Sequence, residues 1–139
     1  MTGAGPQQLE ELVKLMPFAV KLGVELQAAS PEEVVGRMSW REDLCTAGGV
    51  LHGGALMTLA DSLGAVCAFL NLPSGAGTAT ISSSTNMLAA VREGVVTATA
   101  RPLHAGRTVI VVQSELRDGA GRLVAHVTQA QAVLEARAQ

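Results

Sequence analysis

A chain of 139 residues has the length of one domain and can bury roughly two-thirds of the surface that its unfolded form exposes. It is 48% hydrophobic and 16% charged with a net charge of −2, a balance that excludes a disordered chain. Its ten basic residues are scattered, and Trp40, Phe18 and Phe69 are its only aromatics. It therefore lacks both the basic footprint and the stacking platform that nucleic acid requires.

The first residues, MTGAGPQQLEELVK, show neither a basic n-region nor an apolar h-region, so no signal peptide is expected. Pro6 followed by Leu9, Leu12, Val13 and Met16 predicts a short amphipathic helix, extended unevenly after Pro17 through Phe18–Leu22. Residues 1–22 are thus an N-terminal helical segment of one domain spanning 1–139. Val24–Ala29 and Val34–Trp40 read as strands joined at Ser30-Pro31-Glu32, with Val34, Gly36, Met38 and Trp40 alternating against Val35, Arg37, Ser39 and Arg41. Cys45–Gly49 is a loop. It leads to Gly53–Leu70, 18 residues that predict a helix roughly 27 Å long. Because it is apolar on nearly every side, the helix is expected to be surrounded rather than laid on a surface.

The second half reads as four strands: Thr78–Leu88, Gly94–Pro102, Thr108–Asp118 and Arg122–Leu134. The last two flank Asp118-Gly119-Ala120-Gly121, a hairpin signal. Four strands with short glycine-containing turns imply an antiparallel sheet. The simplest architecture is α+β, a curved sheet wrapped around one long helix. Asp61 and the break at Asn71-Leu72-Pro73-Ser74-Gly75 argue against a membrane span. Cys45 and Cys67 match no zinc or redox spacing and read as thiols in a reducing compartment. A cytoplasmic protein is expected.

Asp61 is the only charged side chain between Asp43 and Arg92, inside a segment that otherwise reads as core. An unpaired ionised carboxylate there costs several kcal/mol. The segment is preceded by His52 and opens with Gly53-Gly54. The first N–H groups of a helix have no intrahelical partner and lie at the positive end of its dipole. Glycine leaves them accessible to an approaching oxygen, the makeup of an oxyanion hole. Gly53 and Asp61 lie about 12 Å apart along one helix, too far for both to reach one carbonyl. Two antiparallel copies across a twofold axis bring the start of one helix to the middle of the other, so the spacing predicts a homodimer, or a tetramer built from it. A structural alternative is a buried carboxylate satisfied by backbone N–H groups or by Thr58 and Ser62. His52, His104 and His126 share no ligand spacing, and no metal is expected.

The run from Gly48 to Asp61, GGVLHGGALMTLAD, resembles the hotdog-fold acyl-CoA thioesterases, in the phenylacetate-pathway (PaaI-like) branch of the 4-hydroxybenzoyl-CoA thioesterase superfamily. Resemblance continues through Thr80–Ala90 and Gly106–Leu134. It implies a hotdog fold, dimers that often pair into tetramers, and an acyl-CoA thioester as substrate. It also implies catalytic roles: Asp61 as general base or nucleophile, the Gly53 N–H as oxyanion donor from the partner chain, and His52 positioning the thioester or water. Gly54 and Thr80 fall at substrate-binding positions. So does Thr46, which stands where relatives carry Asn or Gln, and Ala65 replaces a family Ser or Thr.

The expected activity is hydrolysis of an acyl-CoA, or of an acyl-carrier-protein thioester, with no cofactor. The alternatives are a hotdog acyl-CoA binder with little turnover, and a hotdog dehydratase or hydratase. Leu56, Met57, Leu59 and the start of the chain are the expected pocket wall, open to an aryl or a medium aliphatic tail. Arg107, after Gly106 at a strand start, is the candidate for the CoA phosphates, with Arg92 and Arg101 behind it.

Overall fold

The computed structural model describes residues 3–135. Two short helices open the chain, α1 (Pro6–Lys14) and α2 (Pro17–Leu22). The expected uneven extension is a clean break, because Pro17 cannot continue a helix and instead takes the first position of the next. α1 turns Leu9 and Val13 inward. Strands β1 (Glu25–Ala29) and β2 (Val34–Ser39) follow. In β2, Val34, Gly36 and Met38 face the core in strict alternation. Gly36 is a packing requirement: a Cβ there would lie 2.9 Å from Leu63 Cδ1 and 2.9 Å from the Glu25 carbonyl oxygen.

The 18-residue helix α3 (Gly53–Leu70) starts and stops where the sequence places it. β3 (Gly77–Met87), β4 (Val95–Ala105), β5 (Val109–Arg117) and β6 (Leu123–Leu134) complete a six-stranded sheet of order β1-β2-β4-β5-β6-β3. Every pairing is antiparallel. β4 runs past its expected end at Pro102. The register slips between Pro102 and His104, so a bulge absorbs the residue that has no N–H to donate, and His104 lies in the strand rather than in a turn. β3 does not pair with the next strand in sequence; it crosses to the far edge beside β6.

The inner face of the sheet carries Val96, Ala98 and Ala100 from β4, and Ile110, Val112 and Leu116 from β5, all fully buried. α3 packs on this face through Leu56, Leu59, Ala60, Leu63 and Cys67. At about 25 cal/mol per Å² of apolar surface, each such leucine contributes about 1.5–3 kcal/mol. The expectation that α3 is surrounded needs correcting. In the single chain a stripe through Met57, Asp61 and Phe69 stays exposed, with Gly54, Thr58 and Ala65 partly so. Its spacing of three and four marks one helix face. Composition alone could not locate that face, because the stripe is nearly as apolar as the buried side.

Candidate active site

His52 caps α3, and its Nδ1 accepts the Gly54 N–H at 2.8 Å. A neutral imidazole that accepts at Nδ1 carries its proton on Nε2. Of the two glycine amides at the helix start, the Gly54 N–H is thus already engaged. Among the described residues the Gly53 N–H meets no acceptor. Met87 neighbours this glycine on its Cα side, since a Cβ at Gly53 would be 3.1 Å from Met87 Cε.

Asp61 lines an open cleft of about 570 Å³ together with Met16, Phe18, Met57, Thr58 and Ser83. An adjoining cleft of about 440 Å³ holds His52, Cys45 and Leu22. The two meet at Phe18, Gly54 and Thr58. The carboxylate is exposed in the single chain, not enclosed as the surrounding sequence suggests. Nor do the neighbouring hydroxyls satisfy it. Thr58 Oγ1 donates to the Gly54 carbonyl at 2.8 Å and Ser62 Oγ to the Thr58 carbonyl at 2.6 Å, both spent on the helix backbone. The one side-chain partner of Asp61 among the described residues is Gln129 on β6, whose Nε2 lies 3.3 Å from Oδ1.

The start of the chain does line the Asp61 cleft, through Met16 to Ala19, and so does Met57. Leu56 and Leu59 do not: they are 4% and 0% exposed, on the side of α3 that faces the sheet. Thr80 Oγ1 accepts from Gln131 Nε2 at 2.9 Å, which ties it to β6. Thr46 is exposed in the loop before α3 and borders neither cleft. Arg107 occupies the β4–β5 turn, next to Thr108, whose carbonyl accepts the Val133 N–H. Met87, beside Gly53, pairs with Ala125. Ala125 and Val133 lie eight positions apart on β6, roughly 27 Å along the strand.

Sequence reasoning missed Ser83, Gln129 and the part played by Phe18. Gln129 had one legible signal, a long polar side chain in a strand position that alternation assigns to the core. Burial pushes the Cys67 thiol up to about 11. Partial burial, with the charges of Glu42 and Asp43, raises Cys45. Both stay protonated at neutral pH. Among the described residues no three His, Cys, Asp or Glu side chains converge as metal ligands would.

Residues 48–125 match the family model of the Thioesterase superfamily. A Vibrio cholerae relative is 45% identical over 76 residues, covering 55% of this chain but only about half, 51%, of its own length. The Escherichia coli 1,4-dihydroxy-2-naphthoyl-CoA hydrolase is 37% identical over 75 residues, 54% of this chain and 55% of that protein. Two solved structures superpose along nearly their whole length. A thioesterase from Haemophilus influenzae has a TM-score of 0.86 at 29% identity, covering 91% of this chain and 90% of its own. A mutant thioesterase from Pseudomonas aeruginosa has 0.87 at 30% identity, covering 94% of each chain. The chain belongs to the thioesterase superfamily and is a thioester hydrolase of the hotdog fold.

Proposed function

We propose that the substrate is an acyl-CoA thioester, hydrolysed to a free acid and CoA at a site shared between two copies of the chain. The observation that carries this is the layout of α3. An exposed Asp61 carboxylate and an unengaged Gly53 N–H lie on one helix, about 12 Å apart. Antiparallel pairing of two such helices sets Gly53 of the partner subunit opposite Asp61. The partner's Gly53 N–H, at the positive end of the helix dipole, then meets the thioester oxygen.

Two further features support a second copy. The α3 stripe exposes Met57 at 43% and Phe69 at 50%. β3 is an edge strand, exposed along nearly all its length, with Ile81 at 59% and Met87 at 45%. Edge strands of this length are normally covered or paired.

In the general-base form, Asp61 takes a proton from water as its oxygen bonds to the thioester carbon. Negative charge on the former carbonyl oxygen is held by the Gly53 N–H. Collapse of the adduct breaks the C–S bond, and the proton passes to the departing thiolate. In the nucleophile form, Asp61 attacks first and water resolves the anhydride. His52 presents its Nε2–H to the thioester or to water. A carboxylate and backbone dipoles suffice for so activated an ester, so the reading includes no cofactor, metal, nucleic acid or membrane. Its setting is the cytoplasm, and the spacing from His52 to Asp61 supports the PaaI-like branch.

The test is Asp61→Asn assayed by thiol release from a panel of acyl-CoAs. The fold is expected to survive while kcat falls by about two to four orders of magnitude, the range for lost acid–base catalysis. A folded variant with wild-type kcat would refute the role of Asp61. A wild-type protein that binds acyl-CoA without releasing thiol would favour the binding-protein reading.

A further inference from the structure

Gln129 is 1% exposed, on the inner face of β6 and paired in register with Ser83 of β3 and Val112 of β5. Two local costs converge on it. Its Oε1 is buried with no hydrogen-bond partner, an arrangement that native interiors rarely tolerate without a reason. Opposite it, α3 carries Gly64 in mid-helix, where glycine is destabilising relative to alanine. A Cβ at Gly64 would run into the Gln129 amide, overlapping Oε1 and Cδ and lying 2.8 Å from Nε2. Leucine or methionine at 129 would fill similar volume with no orphaned carbonyl.

What the glutamine achieves is one polar contact, Nε2 to Asp61 Oδ1 at 3.3 Å. Gly64 lies three residues after Asp61 and so beside it on the helix surface, on the buried side; its missing side chain is what lets the amide reach the carboxylate from the core side. Local rules broken in this way concentrate at functional sites.

We infer that Gln129 is the positioning residue of the Asp61 carboxylate: its amide pins Oδ1 from inside the fold and leaves Oδ2 turned to the cleft for water or the thioester carbon. The inference rests on the catalytic reading of Asp61. The donor suits the task because an amide cannot titrate and its N–H favours the ionised carboxylate. The elements packed on α3 carry Lys21 (α2), Glu25 (β1), Arg37 (β2), Arg101 and His104 (β4), Glu115 and Arg117 (β5) and His126 (β6), and β3 carries no charge. None of them lines the cleft; the adjoining one holds His52, Asp43 and Cys45.

The experiment compares Gln129→Met, Gln129→Glu and Asp61→Asn with wild type by kcat and KM across pH and by thermal melting. Gln129→Met is expected to keep or raise Tm, since the unpaired carbonyl is gone. Its kcat should fall about tenfold with KM little changed, and the acid limb of its kcat profile should move to higher pH. Gln129→Glu, which sets a second carboxyl against Asp61, should move that limb further. Gln129→Leu repeats the test if the methionine variant does not fold. A lowered Tm with kcat and the acid limb unchanged would overturn the inference and leave Gln129 a structural residue. Should Asp61→Asn keep its rate, the catalytic reading itself falls. Should Asp61→Asn lose its rate while Gln129→Met keeps the wild-type acid limb, only the positioning role falls.

Discussion

At the scale of single residues, the site depends on which polar groups are already engaged. His52 takes the Gly54 N–H and the helix backbone takes the hydroxyls of Thr58 and Ser62. The Gly53 N–H and one oxygen of Asp61 remain unengaged among the described residues. Arg107 lies outside this arrangement but along its axis. It adjoins Thr108, bonded to Val133, four residues beyond Gln129 and so roughly 14 Å along β6. An extended pantetheine arm covers a distance of that order. Arg107→Ala is expected to raise KM for acyl-CoA by about two- to fivefold, the effect of losing one exposed ion pair, and to spare a short pantetheine thioester. Equal effects on the two substrates would remove Arg107 from the phosphate site.

At the scale of elements, the β5–β6 connection sets the register of the strand that carries Gln129. Asp118 Oδ1 accepts the N–H groups of Ala120 at 3.0 Å and Arg122 at 2.9 Å, and Oδ2 meets Arg122 Nε at 3.2 Å. Gly121 takes φ 84° to close the turn, a left-handed conformation that suits glycine. The hydrogen bond from the Arg122 N–H, aided by those from Ala120 and the Arg122 side chain, holds the Asp118 carboxyl below the usual carboxylate range. A carboxyl depressed in the folded state contributes stability above its unfolded pKa and loses it as pH falls through the folded value. Asp118→Ala should therefore melt below wild type at pH 7, and the gap should close as the medium is acidified beneath the ordinary carboxylate range. Melting curves at several pH values check this; a gap that does not depend on pH would assign the loss to turn geometry instead.

For the whole molecule, the proposed antiparallel pairing of α3 has a definite centre. If Gly53 of one subunit faces Asp61 of the other, the twofold axis passes beside Met57, midway between them in sequence. Met57 is 43% exposed in the single chain. Met57→Glu would bring two like charges together at the axis, where they repel. The variant is expected to shift toward monomer in sedimentation velocity and to lose turnover in proportion, while its sheet signature by circular dichroism persists. A Met57→Glu dimer with wild-type kcat would place the interface elsewhere.

Much of this was legible beforehand, because local physics decides it. Apolar runs punctuated by glycine and proline marked every α-helix and strand to within a few residues, apart from the bulged end of β4 after Pro102; the short 3-10 turns at Glu42–Leu44 and Ala47–Gly49 were not marked. The one charge in an apolar helix singled out Asp61, and the ordinary 1.5 Å rise per residue already separated it from Gly53. Three things depended on tertiary structure. The order of the sheet, with β3 carried to the edge beside β6, follows from pairing between strands distant in sequence. The exposed face of α3 depends on which side the sheet covers, and an all-apolar helix has no periodicity to announce it. The contact of Gln129 with Asp61 across the notch at Gly64 joins residues 68 apart in sequence, and only the packing of β6 under α3 brings that amide to that carboxylate.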